Sequence, residues 1–329
     1  MLFEIFILCV LIAFAIGLIA AYLIKKFGKR LSLIDAPNER SAYRHKEPTP
    51  RGGGLGIWLV SILGSILIVK NFYFAIIFFL LGAVAVVDDR YTLSVKIRLI
   101  FQFILSLAII LIGLKLELSI IFILLIIFWI IFICSTTNFY NFMDGIDGIA
   151  GATGVICFSF LAFYAHYFGE EQQIALFCAC MAASCLGFLI INFSKSRVFM
   201  GDIGSTTLGF VFAVIVMLLS NNLIEFICLA SFIFTFYADE IITLFIRIKK
   251  KENITQAHRQ HLYQLLANEK KIKHWKVTTI YIIVQFIVGA TAVLIKPLGA
   301  TIVLETLIIF FLMILIMNLQ LRNNLQKTN

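Results

Sequence analysis

The sequence predicts an all-α protein built from about eleven membrane-spanning helices, and three observations carry that reading. Hydrophobic residues fill 61% of the 329 positions and charged residues only 14%, against roughly 25% charged in a soluble domain. Apolar runs long enough to cross a hydrocarbon core of about 30 Å recur along the whole chain. The basic residues are also sorted by side. Of the 27 Lys and Arg, all but Lys70, Lys115 and Lys296 fall on one alternate set of connecting loops.

Taken in order, spans are expected at 1–24, 55–70, 72–87, 99–114, 118–134, 150–168, 173–191, 206–220, 223–246, 277–295 and 299–319. The excess of Lys and Arg marks its set of loops as cytoplasmic. The N-terminus is then outside, the C-terminus cytoplasmic, and the cytoplasmic loops are 25–54, 88–98, 135–149, 192–205 and 247–276 of a single catalytic domain, 1–329. The N-terminus shows neither a basic leader nor a small-residue cleavage site, so its apolar run reads as a retained span. The net charge of +9 is mostly topology, which argues against a nucleic-acid partner. The seven Cys all lie inside apolar runs, without zinc-like or disulfide-like spacing, and read as packing residues.

The acids cluster on one side of this topology. Asp88 and Asp89 end the third span in VAVVDDRYTLS, and Asp144 and Asp147 open the sixth in NFMDGIDGIAGATG. Asp202 precedes the eighth in FMGDIGSTTLGF, and Asp239 and Glu240 lie late in the ninth. Carboxylates are costly near a bilayer, so they pair, bind ions or do chemistry. Asn141, Asp144 and Asp147 recur every three residues and would share one face of a helix. Gly145, Gly148, Gly151 and Gly154 follow one position on, which suits either a ligand or a helix-packing seam. Asp202, three residues before Ser205 at the start of an apolar run, has the form of an ordinary helix N-cap. Asp88 beside Asp89 implies a positive group between or near them.

The cytoplasmic loops supply that opposite sign. In RSAYRHKEPTPRGGGLG, His45, Lys46 and Arg51 lead into Gly52, Gly53 and Gly54, either a solvated basic loop or a phosphate cradle of glycine amides. In AHRQHLYQ, His258 and His261 stand at the spacing of a helical turn with Arg259 between them, and no third ligand is placed for zinc. Acids for a divalent cation together with Arg, Lys and His for phosphates are the ingredients of phosphoryl transfer. A site at the membrane surface implies one substrate from the cytosol and one from the lipid.

Four of these stretches, PTPRGGG, VDD at 87–89, NFMDGIDGIAG and FMGDIGSTTLG, followed by the His-bearing loop, resemble in type and order the polyprenyl-phosphate N-acetylhexosamine-1-phosphate transferases of glycosyltransferase family 4. Eleven helices with the N-terminus outside is similar to the branch that initiates O-antigen. The resemblance implies transfer of an N-acetylated amino-sugar 1-phosphate from a UDP-sugar to polyprenyl (undecaprenyl) phosphate, with release of UMP, in the bacterial cytoplasmic membrane. It implies Mg2+ or Mn2+ at Asp202 with Asn141, near the Asp88–Asp89 pair. One of Asp88 and Asp89 would deprotonate or position the lipid phosphate, and Asp144 and Asp147 would lie in the nucleotide pocket, Asp147 near the uracil. Lys46, Arg51, Arg247, His258, Arg259 and His261 would hold the nucleotide's phosphates and the sugar. Assembly as a homodimer stays open.

One departure concerns the sugar. Members acting on N-acetylglucosamine often carry His-x-His-His in the last loop, whereas this chain has His258-Arg259-Gln260-His261, similar to members using 6-deoxy sugars such as N-acetylfucosamine or N-acetylquinovosamine. Two other readings compete. An intramembrane prenyltransferase would use N-x-x-D-x-x-D at 141–147 and release diphosphate, but lacks its second Asp-rich motif. A transporter would place ionisable groups at mid-membrane in symmetric halves, and neither is visible.

Overall fold

The computed structural model describes residues 3–31, 33–35, 48–114, 119–169, 171–193, 198–253 and 258–328. In chain order the helices are α1 (Phe3–Phe27), α2 (Leu55–Leu67), α3 (Phe72–Tyr91), α4 (Val95–Gly113), α5 (Ile120–Phe142), α6 (Ile149–Tyr167) and α7 (Gln172–Asn192). They continue as α8 (Asp202–Leu219), α9 (Leu223–Ala230), α10 (Phe234–Lys249), α11 (Leu262–Gln264), α12 (His274–Ile295) and α13 (Ala300–Thr328). One 3-10 turn, Ser231–Ile233, joins α9 to α10. Every apolar segment expected from the sequence is helical, and among the described residues ten helical stretches have the length and apolarity of a membrane span, α9–α10 counting as one.

The remaining segment, α2, has 13 residues, about 20 Å at helical rise. It stops at Leu67 because the chain turns there. The Val69 and Asn71 amides reach back to the Gly64 and Ser65 carbonyls, and the Asn71 side chain caps α3 through the Phe74 N–H at 3.2 Å. A shared polar turn thus ends one helix and starts the next.

Within a bilayer helices gain little from hydrophobic burial against one another, and close backbone packing takes its place. α1 and α7 show this directly. A Cβ on Gly17 would lie 2.2 Å from the Ser184 carbonyl oxygen, and one on Gly187 would lie 2.3 Å from that of Phe14. α8 is the axis of the bundle, 89% buried, while α13 at the rim is 6% buried and presents Ile309, Leu312 and Met313 outward as a lipid-facing surface.

The site end of the bundle is organised by two backbone ties. Residues 34–35 and 49–50 form a two-residue antiparallel pair, Ile34 opposite Pro50 and Asp35 opposite Thr49, which carries Asp35 to the PRGGG turn. That turn then docks on the start of α8. The Gly53 amide donates to the Phe199 carbonyl at 2.8 Å and the Gly54 amide to the Met200 carbonyl at 2.9 Å. Both amides are committed to protein, so Gly53 and Gly54 form a docking turn and their amides are not offered to a phosphate.

The docking admits no side chain. An added methyl in Gly54→Ala would meet Gly204 Cα at 2.3 Å, whereas one in Gly169→Ala finds nothing nearer than 3.4 Å. Gly54→Ala should cost about 1–3 kcal/mol, the usual range for overpacking, and lower the melting temperature of the detergent-solubilised protein. Gly169→Ala should leave it unchanged. Equal melting temperatures for the two variants would refute the close contact.

Candidate functional site

Adjacent residues of a helix point about 100° apart, so Asp88 and Asp89 face different partners. Asp89 is buried. Its Oδ1 accepts the Asp202 N–H at 3.1 Å and its Oδ2 the Ile203 N–H at 3.4 Å, while Arg51 Nη2 pairs with Oδ1. These amides are orphan donors of the first turn of α8, where a negative charge also meets the positive helix end. The cap foreseen for Asp202 therefore comes from α3. Gly201 holds the N-cap position of α8 without a side-chain bond, and the Asp202 carboxylate points outward, 3.6 Å from Arg51 and 3.8 Å from Arg98.

Asp88 takes the other direction. Its Oδ1 accepts the Leu93 N–H at 2.7 Å and its Oδ2 receives Arg98 Nη1 at 3.0 Å. The Arg98 Nε is buried with no hydrogen-bond partner. The positive groups implied by the Asp pair are thus Arg51 and Arg98. Arg98 was read from the sequence only as topological charge, and its spacing from Asp88 gave no further signal. Asp88, Arg98 and Asp202 close one end of a crevice walled by Leu81, Val84, Phe101 and Leu105. Burial lowers the Arg51 pKa, but Asp89, Asp202 and Asp35 outweigh it and hold that guanidinium above its usual value.

Beside these acids is a polar cavity of about 230 Å3, lined by Asp35, Arg51, Asn141, Asp144, Phe199, Gly201 and Asp202. Asn141 Oδ1 accepts the Ser205 hydroxyl at 2.6 Å, which ties α5 to α8. The three-residue period of Asn141, Asp144 and Asp147 does not mark one helical face. Asn141 is in α5, and Asp144 and Asp147 lie in the connection before α6. Gly151 and Gly154 do form a packing seam, against Leu189 and Cys185 of α7. The donors at the cavity are carboxylate and carboxamide oxygens, which suit a hard divalent cation such as Mg2+ or Mn2+. Among the described residues no three His, Cys, Asp or Glu converge at ion-binding distances; Arg51 and Arg98 neutralise the acids instead.

Asp147 faces α12. Its Oδ2 is 3.0 Å from His274 Nδ1, and its carbonyl accepts the Thr278 hydroxyl at 2.8 Å. His274 was not singled out from the sequence, where a lone His before an apolar run carries no signal. Lys46 lies outside the described residues.

The last loop is organised by Asp239, buried in α10. It accepts the Leu262 N–H at 2.7 Å, the Tyr263 N–H at 3.3 Å and the Tyr281 hydroxyl at 2.7 Å. His258 and His261 are not on one helix, since His261 is the N-cap of α11, yet their rings stand 4.6 Å apart. His261 is 3% exposed, lies parallel to the Tyr263 ring and sets Nε2 3.5 Å from Glu240 Oε1. Arg247, also 3% exposed, donates to Glu252 Oε2 at 3.1 Å and to the Asn253 carbonyl at 2.6 Å. Arg247 and His261 therefore sit in the framework of the loop, and Arg259 is half-buried beside them. The Tyr263 hydroxyl donates to the Phe142 carbonyl at 2.9 Å, fastening this loop to the end of α5. The structure thus gathers Asp88, Asp89, Asp202, Arg51, Asn141 and Asp144 around one place. Arg247, near the end of α10, and His258, Arg259 and His261, in the adjoining loop, do not line the cavity.

Two expectations follow from this arrangement. Asp89→Asn should lower both turnover and melting temperature, because it weakens the cap of α8 and its pairing with Arg51. Asp202→Asn should abolish turnover with the melting temperature kept, and a matched loss of stability in both would contradict this division of roles. Burial, then His261 and Arg247, push the His258 pKa down to about 4; burial, then Arg322 and Arg247, push that of His261 down to about 3. Both imidazoles are neutral at pH 7. The unfolded chain takes up their protons first, near pH 6.5, so their share of stability is complete above about 6.5 and is lost as pH falls towards 4 and below. A His258→Gln, His261→Gln variant should show a shallower loss of melting temperature between pH 6.5 and 4; an unaltered acid limb would refute the depressed values.

Comparison with known proteins bears on this geometry. The sequence profile of Glycosyl transferase family 4 matches residues 71–220, the stretch that contains Asp88, Asp89, Asn141, Asp144, Asp147 and Asp202. A Bacillus subtilis (strain 168) protein named "probable undecaprenyl-phosphate N-acetylglucosaminyl 1-phosphate transferase" is 30% identical, over 93% of this chain and 89% of its own length. A phospho-N-acetylmuramoyl-pentapeptide-transferase of Bacillus thuringiensis (strain Al Hakam) is 25% identical over 86% of this chain and 95% of its own. Another of that name, from Staphylococcus saprophyticus, is 30% identical over 45% of this chain and 41% of its own. Similarity along nearly the whole length, with the acids inside the matched core, argues against a prenyltransferase or a transporter: the chain belongs to glycosyl transferase family 4, the polyprenyl-phosphate sugar-1-phosphate transferases.

Proposed function

We propose that this chain transfers an N-acetylated amino-sugar 1-phosphate from a UDP-sugar to undecaprenyl phosphate and releases UMP, at the cytoplasmic face of a bacterial inner membrane. The observation that supports it best is the meeting of Asp88, Asp89 and Asp202 with Arg51 and Arg98 at the ends of the membrane-spanning helices α3, α4 and α8. There a phosphate from the lipid and a diphosphate from water can both be neutralised. In this reading the lipid phosphate is met by Arg98 at the polar end of the crevice of Leu81, Val84, Phe101 and Leu105, with Asp88 beside it to take its proton. A second apolar groove, about 590 Å3 between α5, α10 and α13 and lined by Phe132, Phe139, Tyr237 and Phe311, offers room for an isoprenoid tail.

A phosphate oxygen of the lipid attacks the sugar-bearing phosphorus of the UDP-sugar. The bond from that phosphorus to the bridging oxygen breaks, its electron pair leaves with UMP, and a new diphosphate links lipid and sugar. Asp202 and Asn141, with Asp144 nearby, would hold Mg2+ or Mn2+, which when bound supplies neutralisation of the diphosphate charge. Arg51 turns its charge to the same cavity. Asp147, Lys46, His258 and Arg259 are assigned to the nucleotide and sugar, and Arg247 and His261 to holding the loop that carries them. The sequence His258-Arg259-Gln260-His261 favours a 6-deoxy N-acetylated sugar and entry of the product into O-antigen.

A membrane assay of UMP release with undecaprenyl phosphate, Mg2+ and a panel of UDP-sugars tests this. UMP from N-acetylfucosamine or N-acetylquinovosamine donors, with little from N-acetylglucosamine, is the expected result. Release from N-acetylglucosamine alone would keep the reaction and overturn the reading of the last loop. No UMP from any donor, where the Bacillus subtilis relative is active, would overturn the reaction.

A further inference from the structure

The longest helix of the bundle is also its least buried. α13 runs 29 residues, about 43 Å at helical rise, against a hydrocarbon core of about 30 Å. Its last turns therefore extend beyond the membrane, and there the apolar run LIIFFLMILIM gives way to Asn318, Gln320, Arg322, Asn323 and Asn324. On this otherwise exposed helix Asn318 is 0% exposed. Its Oδ1 accepts the Arg322 Nε–H at 2.6 Å, and Arg322 Nη2 donates to the Gln260 carbonyl. Gln260 Nε2 donates in turn to Glu252 Oε2 at 2.8 Å, the oxygen that accepts Arg247 Nε–H at 3.1 Å. The loop is thus tied to α10 through Arg247 and to α13 through Arg322.

We propose that Arg322 is a positioning residue for the donor substrate, a latch by which the last membrane helix sets the place of His258 and Arg259. The inference rests on the reading that this loop receives the UDP-sugar. A backbone carbonyl can be held only by a donor brought from elsewhere, and the planar guanidinium directs two bonds at once, to Asn318 and to Gln260, where a lysine ammonium has no such fork. The buried Asn318 is costly in this setting, and its Nδ2 has no partner, so the useful part of the side chain is the oxygen that aims Arg322. Neither residue touches the acids or the cavity, and both lie beyond the 71–220 stretch matched by the family profile.

The test compares wild type, Arg322→Ala, Arg322→Lys and Asn318→Ala as full-length protein, with kcat and KM measured separately for the UDP-sugar and for undecaprenyl phosphate. Arg322→Ala should raise the donor KM about tenfold, the scale of one lost charge-assisted hydrogen bond, with the lipid KM within about twofold of wild type. Arg322→Lys should recover only part of the loss, and Asn318→Ala should act in the same direction more weakly. Trypsin should also cut faster after Lys249, Lys250 and Lys251 in Arg322→Ala at an unchanged melting temperature. An unchanged donor KM, or equal rises in both KM values, would overturn the latch; should Arg322→Ala fail to fold, Asn318→Ala decides by the same two KM values. A wild-type enzyme that turns over no UDP-sugar would instead overturn the reaction on which the latch depends.

Discussion

The arrangement of the site depends on one carboxylate, that of Asp89. It accepts two amides at the start of α8 and pairs with Arg51 of the PRGGG turn, so three segments distant in sequence are joined at one buried point. α8 is the bundle's central helix, and the position of its first turn decides where Asp202 and Ser205 stand. Through Ser205 it also decides where Asn141 stands. A carboxylate is well suited to this place because the helix end it meets is electropositive and its amides have no other partner. Removing Asp89 from water is tolerable only because Arg51 and the two amides together replace the hydration it loses.

The apolar segments, their order and the gathering of acids at helix ends were legible in the sequence, because hydrophobic length and charge placement are local properties of the chain. The expected span 72–87 is in place as α3, and 173–191 as α7, with boundaries moved by a few residues. What local pattern could not reveal is which group satisfies which. Asp202 followed by Ser205 has the form of a cap, yet the cap arrives from a residue 113 positions earlier. The three-residue period of Asn141, Asp144 and Asp147 looked helical, but α5 ends at Phe142. The Gly53 and Gly54 amides looked free for phosphate, but the carbonyls of Phe199 and Met200, far along the chain, claim them. His274 and Arg98 escaped notice for the same reason, since each acquires meaning only from an acid in another segment of the chain.

The paired acids make the division of labour explicit. In Asp88–Asp89 and again in Asp239–Glu240, adjacent carboxylates are turned apart by the helix, and one member of each pair is saturated by backbone amides of a following segment. Asp89 takes the start of α8, and Asp239 the start of α11. The other member keeps a different partner, Asp88 the Arg98 guanidinium and Glu240 the His261 ring. Adjacent acids in a membrane helix need not share one ligand, as their repulsion first suggests. One acid anchors a segment that would otherwise begin with unpaired amides at the membrane surface, and that anchoring sets the distance at which its neighbour meets its own partner, a guanidinium for Asp88 and a neutral imidazole for Glu240. The structural acid and the chemical acid are then separable only by partner, never by position in sequence. In the reaction proposed above Asp88 and Asp202 are the acids assigned to substrate, and Asp89, which joins Arg51 to the first amides of α8, is the residue that holds them in place.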